Sequence, residues 1–267
     1  MNDLAGRLGR TLQAVLLPVV IVVLWEWAGQ AELVPEGLLP KPSSIAATWH
    51  EWAFGNGGLG LNPYSGTWVA TVLFSARRVA QGFLVAVLIG VPVGIMIGWS
   101  RLAARMVDPM IQGLRPIPIT AWLPFSIAVF GIRDSGAVFL IALGAFYPIL
   151  VNSTHGARDI RLNLVRAARM MGASNTDLLL RVVFPNALPA IFTGLRIGLG
   201  VAWTAVIVAE IVAVKSGLGY VLWDAYYVGR MDVVLADMVS IGLAGFLSDR
   251  LMLLLSAWVL QWRQYQR

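Results

Sequence analysis

Two uncharged apolar stretches, residues 79–99 and 136–154, constrain this chain more than any other feature in it. Each approaches the ~20 residues that a helix needs to cross ~30 Å of hydrocarbon. Hydrocarbon offers no partner to a free N–H or C=O, so the backbone must satisfy itself internally, as a helix does. Composition agrees: 13% of residues are charged and 58% hydrophobic, whereas a soluble domain carries roughly 25% charged residues. Mean hydropathy is +0.75. Four further apolar segments carry a few charges each: 12–29 with Glu26, 107–130 with Asp108 and Arg115, 189–214 with Arg196 and Glu210, and 237–262 with Asp249 and Arg250. The expected fold class is therefore an all-α integral membrane protein of about six transmembrane helices.

The arginines set the orientation. With a cytoplasmic N-terminus, the inner segments hold Arg7, Arg10, Arg101, Arg105, Arg158, Arg161, Arg166, Arg169, Arg181, Arg263 and Arg267, and the outer ones Lys41, Arg133, Lys215 and Arg230. Eleven against four is a positive-inside bias. It places both termini in the cytoplasm, and in a bacterium the membrane is the cytoplasmic one. The same bias accounts for the net charge of +6 without any nucleic-acid partner, since no basic run is interleaved with aromatics. The first apolar segment follows Arg7 and Arg10 but lacks a small-x-small cleavage site and ends on Trp25, Glu26 and Trp27, so it reads as a retained anchor.

Catalytic chemistry has little to work with. Cysteine is absent, and His50 and His155 are the two histidines, both near predicted membrane boundaries and neither in a catalytic pairing. No metal-ligand spacing occurs. The glycine-rich stretch Gly55-Asn56-Gly57-Gly58-Leu59-Gly60 lacks the Gly-x-x-x-x-Gly-Lys-Ser/Thr of a phosphate-binding loop. The chain supplies no ATP site of its own. In the same outer connection, Pro40, Pro42 and Ser43 mark a helix start, and residues 43–54 form an amphipathic helix with Ile45, Trp49 and Trp52 on one side, expected to lie on the outer membrane surface. Arg77-Arg78 reads as an outer-boundary pair.

Between two long apolar segments sits a polar, helix-forming island. Arg166, Ala167, Ala168 and Gly172 are followed by Ala173, Ser174 and Asp177, then by Val182-Val183-Phe184-Pro185. Small residues allow close packing of a helix on another protein. Gly172 suits a left-handed helix cap. Ser174 with Asp177 three residues on gives a near capping-box start for a second helix, which Pro185 should stop.

This loop resembles the one by which the permease subunit of a bacterial ABC importer grips its ATPase, and the resemblance extends over most of the chain. Residues 67–98 look like the opening core helix of the nitrate, sulfonate and taurine branch, with Arg78, Gly82, Gly90, Pro92, Gly94 and Gly98 in the familiar places. Leu114-Arg115-Pro116-Ile117-Pro118, Ala121-Trp122-Leu123-Pro124 and Phe130-Gly131-Ile132 are similar to its next stretch. Gly194-Leu195-Arg196, Ala209-Glu210 and Ser216-Gly217-Leu218-Gly219-Tyr220 match its fifth helix and the loop beyond. The family's usual glutamate at the start of the loop motif is Arg166 here. The resemblance implies a type I importer architecture: an anchor and extracytoplasmic segment at 1–66, a core at 67–262 with a coupling loop at 156–189, and a cytoplasmic tail at 263–267. It also implies two permease copies in a homodimer, two ABC ATPase subunits carrying ATP and Mg on the loops, an extracytoplasmic solute-binding protein, and a small anionic substrate such as nitrate, an alkanesulfonate or taurine.

Physical arguments place the pathway. Pro116, Pro118 and Pro124 break the third span, and non-helical backbone at membrane depth persists only inside protein or beside water. A charge left in lipid costs at least ~2.5 kcal/mol, so Arg115, Arg196 and Glu210 must face protein, water or headgroups. They either line the pathway, or the arginines snorkel to phosphates while Glu210 caps the outer loop. Asp249 and Arg250 diverge by ~100° on a helix and should pair with other helices. An ion-coupled carrier, with Glu210 and Asp249 exchanging protons, is the alternative; it leaves the island loop unexplained. An integral-membrane enzyme would need clustered catalytic groups that the chain lacks.

Overall fold

The computed structural model describes residues 2–33, 35, 37–55 and 63–261, with side chains from residue 16 onward. The glycine-rich residues 56–60 and the tail 263–267 lie outside the described residues. Every regular element among the described residues is helical. In chain order they are α1 (Asn2–Gln30), α2 (Pro42–Phe54), α3 (Trp68–Trp99), α4 (Arg101–Leu114), a 3-10 turn (Ile119–Trp122) leading into α5 (Leu123–Phe130), and α6 (Asp134–Arg158). Then come α7 (Leu162–Met170), the single turn α8 (Asn175–Asp177), a π-helical stretch (Leu178–Val183), α9 (Phe184–Ala213), α10 (Leu218–Tyr227) and α11 (Met231–Val259).

Four stretches are long and apolar enough to cross a membrane: α3, α6, Asn175–Ala213 and α11. A fifth is the pair Arg101–Leu114 and Ile119–Phe130, bent by 92° at the break. The apolar part of α1, Leu16–Gln30, is shorter; with α1 the count reaches the expected six. The expected third span is thus two helices at a right angle. Pro116 and Pro118 fall in the four residues that separate them, whereas Pro124 opens α5, where a missing N–H costs nothing.

The chain divides into two units, Met1–Ala70 with Val221–Ser240, and Thr71–Tyr220 with Ile241–Arg267. In the first, the Trp49 and Trp68 indoles both donate to Ser240 Oγ, at 3.0 and 2.8 Å, and their rings meet edge-on at 5.3 Å. Ile45 and Trp52 are buried, and Trp52 donates to Thr67 Oγ1 at 3.1 Å. The apolar side of α2 therefore packs on protein and not, as the sequence led one to expect, on the membrane surface. Tryptophan explains the difference, because its N–H needs an acceptor when buried and Ser240 and Thr67 supply one.

The second unit is built around α6, whose Leu140, Ile141, Ala145, Ile149 and Leu150 are almost wholly buried. Small residues let its neighbours approach. A Cβ on Gly94 of α3 would lie 2.6 Å from Leu150 O, and one on Gly194 of α9 would lie 2.7 Å from Asn152 Cβ. Between lipid-facing helices association rests on such close packing rather than on a hydrophobic drive, so these glycines are structural requirements. At the end of α6, Arg158 pairs with Asp108 of α4 at 3.0 Å.

Candidate functional site: a docking loop, a cavity at the broken helix and a closed ion cluster

Three places in the second unit concentrate the chemistry. The first is the loop. Helix α7 ends where Gly172 takes φ +84°, a conformation that suits a residue without Cβ. The Ala173 N–H reaches Ala168 O at 3.0 Å and the Gly172 N–H reaches Arg169 O at 3.0 Å, which is a complete Schellman cap. Ser174 then opens the next turn with a full capping box: its hydroxyl accepts from the Asp177 N–H, and the Asp177 carboxylate accepts from the Ser174 backbone. Hydrogen bonds from the Ser174 hydroxyl and backbone hold the Asp177 carboxyl below the usual carboxylate range, with Arg181 nearby adding to the effect. Ala168 is buried, and Arg166, Ala167 and Gly172 are exposed. Two features escape sequence reading. Met170 and Met171 stand 83% and 82% exposed, a flexible apolar surface outside the spans of the sort that proteins use for contact. Pro185 does not stop the helix. The chain runs on through it into α9, and the turn before it is π-helical. A wider π turn leaves room for the proline ring, which would clash with the carbonyl four residues back in a regular helix.

The second place is the break after α4. Arg115 caps α4 with its N–H on Ile111 O. Arg115, Pro116, Ile117 and Pro118 then form one wall of a cavity of about 460 Å³. Helix α6 supplies the facing wall with Leu143, Tyr147, Val151 and Asn152, and α9 adds Ile197. The Asn152 amide donates to Pro148 O within its own helix at 2.8 Å. Sequence reading found the broken strip but not Tyr147 or Asn152, because apolar α6 gave no reason to single out two of its residues.

The third place holds Glu210. It is fully buried and engaged on all sides: Arg78 Nη1 lies 2.7 Å from Oε1, the Gly219 N–H donates to Oε2 at 2.9 Å, and Ser75 Oγ lies 2.8 and 2.9 Å from its two oxygens. Arg78 also binds Asp134 at 2.8 Å and Ser216 through O and Oγ at 2.8 and 2.6 Å. Gly217 closes the wrap at φ +104°, where a Cβ would run into the Glu210 carboxylate. Arg78 is thus a buried hub that ties α3 to the start of α6 and to the segment after α9. A charge inside an apolar run was the signal, and it demanded a partner that the sequence could not name. Glu210 does not line the cavity that holds Arg115.

Arg196 is apart from both. It forms a two-point ion pair with Asp249 of α11 at 2.9 and 3.0 Å, with both side chains about 40% exposed. Arg250 instead lies 4.7 Å over the Phe246 ring, so the two neighbours diverge as their helix spacing requires. Each acid of the ion-coupled alternative, Glu210 and Asp249, is held in an ion pair with an arginine.

Comparison with known proteins accords with this geometry. Residues 90–261, which include the loop and the broken helix, match the family model described as binding-protein-dependent transport system inner membrane component. The chain is 41% identical over 188 residues to the bicarbonate transport system permease protein CmpB of Synechococcus elongatus, covering 70% of this chain and 68% of that one. It is 34% identical over 258 residues to the nitrate import permease protein NrtB of the same organism, covering 92% and 86%. The inward-facing structure of the MetNI methionine ABC transporter superposes with a TM-score of 0.60 at 22% identity, over 72% of this chain and 98% of that one, which shows a shared type I permease fold. The chain belongs to the inner-membrane permease subunits of binding-protein-dependent ABC importers, in their nitrate and sulfonate branch.

Proposed function

We propose that this permease carries a small anion across the cytoplasmic membrane, as one of two identical copies flanking the pathway. Two ATPase subunits, which bind the ATP and Mg, grip the 166–185 loops from the cytoplasm, and an extracytoplasmic solute-binding protein delivers the substrate. Closure of the ATPase pair draws the loops together and turns the pathway outward; hydrolysis resets it. The observation that supports this reading is the loop: a capped reversal at Gly172 that leaves Met170 and Met171 exposed. The names of CmpB and NrtB, bicarbonate and nitrate permeases, support an anionic substrate, as does Arg115 on the cavity wall. Arg115, Pro116 and Pro118 belong to the pathway in this reading, and Arg196 to its flank.

Gly172→Val is the test. A β-branched residue in the left-handed region costs about 1–2 kcal/mol at that turn while leaving the spans intact. The expected result is normal membrane abundance with loss of the ATPase from the purified complex. Full retention of the ATPase would sink the docking assignment.

A further inference from the structure

We infer that Arg158 is a second station for the anion, on the cytoplasmic side of the cavity at the broken helix, and that Asp108 is its built-in competitor. The inference rests on the importer reading above, in which the anion passes Arg115. Helix α4 has three distinct sides. Ala104, Val107 and Ile111 pack into the core with Ile97 and Leu150. Leu102, Met106 and Met110 stand largely exposed, an apolar side suited to lipid. The third side carries Arg101, Arg105, Asp108, Gln112 and Arg115, whose spacing of three and four residues makes them one polar stripe along the helix. With core and lipid taking the other two sides, the stripe is left to face water. It ends at Arg115 on the cavity wall.

Helix α6 matches it. Tyr147 and Val151 line the cavity, and His155 and Arg158, both exposed, continue the same side toward the cytoplasm. Counting from Arg115 along α4, or from Val151 along α6, puts the Asp108–Arg158 contact two turns from the cavity wall, roughly 10 Å. One N–H of Arg158 reaches Asp108 at 3.0 Å. No other hydrogen bond among the described residues engages that guanidinium, so its remaining donors can serve an oxyanion. Magnitude separates this pair from the buried one. Breaking Arg78 from Glu210 strands a charge in the interior, which rules that pair out as a contact that opens in each transport cycle. Asp108 and Arg158 are 31% and 44% exposed, and a pair so placed favours its closed form by about fivefold at most. A passing anion can displace Asp108 from Arg158, and Asp108 can displace the anion in turn, which keeps the station from becoming a trap. Arg105 and Arg101, exposed and without an ion pair among the described residues, carry the stripe on to the end of α4.

Position 155 neighbours Arg158 on the helix face, and the chain has no cysteine of its own, so His155→Cys reports on an occupant of the station. In this variant, copurified with its ATPase in lipid nanodiscs, nitrate is expected to slow modification of the cysteine by N-ethylmaleimide, an uncharged reagent. Adding Asp108→Asn should lower the half-protecting nitrate concentration by about two- to fivefold. Arg158→Gln should abolish protection, and Arg158→Lys should keep it. A contact that merely fastens α4 to α6 predicts instead the same nitrate dependence with and without Asp108→Asn. Because that substitution is expected to tighten binding, a folding defect cannot imitate the result. The inference is overturned by absence of protection in the His155→Cys parent, by a half-protecting concentration that Asp108→Asn leaves unchanged or raises, or by protection that survives Arg158→Gln. Complexes that assemble with the ATPase and hydrolyse ATP, yet show none of these shifts, sink this inference alone. Complexes that never assemble with the ATPase sink the reading beneath it as well.

Discussion

Arg78 holds its guanidinium against Asp134 and Glu210 in a site where it is 4% exposed and the glutamate not at all. Removing one member of a buried pair strands the other charge, at about 3–5 kcal/mol. Arg78→Met should therefore lower the thermal midpoint and membrane abundance of the permease, and Glu210→Gln less so, because the amide keeps partners for Ser75 and Gly219. Uptake per assembled complex should stay near normal in both, since neither group reaches the cavity. Specific uptake that collapses at normal abundance would instead place the cluster on the pathway. This residue-scale picture was half legible in the chain. That Glu210 needed a partner followed from its place in an apolar segment, but the partner lies in a helix more than a hundred residues away, and pairing at that separation is fixed by how α3, α6 and α9 pack.

The π turn ahead of α9, followed by Pro185 as the second residue of that helix, links the capped loop to a spanning helix. Its π geometry carries one more residue per turn than an α-helix, so reversion to α would rotate the loop by ~100° about the axis relative to α9. With Pro185 replaced by Ala, the N–H returns and the clash disappears, which favours that reversion. Pro185→Ala is expected to leave insertion and ATPase binding in place while raising the number of ATP molecules hydrolysed per substrate imported. An unchanged ratio in reconstituted vesicles would show that the π turn does not set the loop's angle. Local chemistry made the loop readable in advance: Gly172, Ser174 and Asp177 act on neighbours within a few residues, so their caps could be written from sequence. Pro185 misled for the same reason. A proline ends a helix by local rules, and only the ordered π turn before it lets the helix continue. The amphipathic α2 shows the converse, since an apolar stripe specifies burial without specifying lipid or protein as the medium.

For the whole molecule, hydrophobic runs marked the stretches that the structure forms as long apolar helices, and the arginine bias carries an expected direction for them, because the bilayer acts on composition and charge. Which helices touch was not legible: the close approaches at Gly94 and Gly194 pair positions some 60 and 40 residues apart, and glycine spacing marks a packing face without identifying its partner. The orientation itself is testable, as the chain has no cysteine to give background. Lys215 and Asn175 are both exposed, and the six-span arrangement puts them on opposite sides, the first at the outer end of α9 and the second in the docking loop. Lys215→Cys should react with a membrane-impermeant maleimide added to intact cells. Asn175→Cys should stay unlabelled until the membrane is opened, and should then lose reactivity again when the ATPase is bound, because the loop is the seat we propose for it. Labelling of both from the same side would remove a crossing between them and, with it, the case for α9 as the helix that carries motion from the ATPase into the membrane.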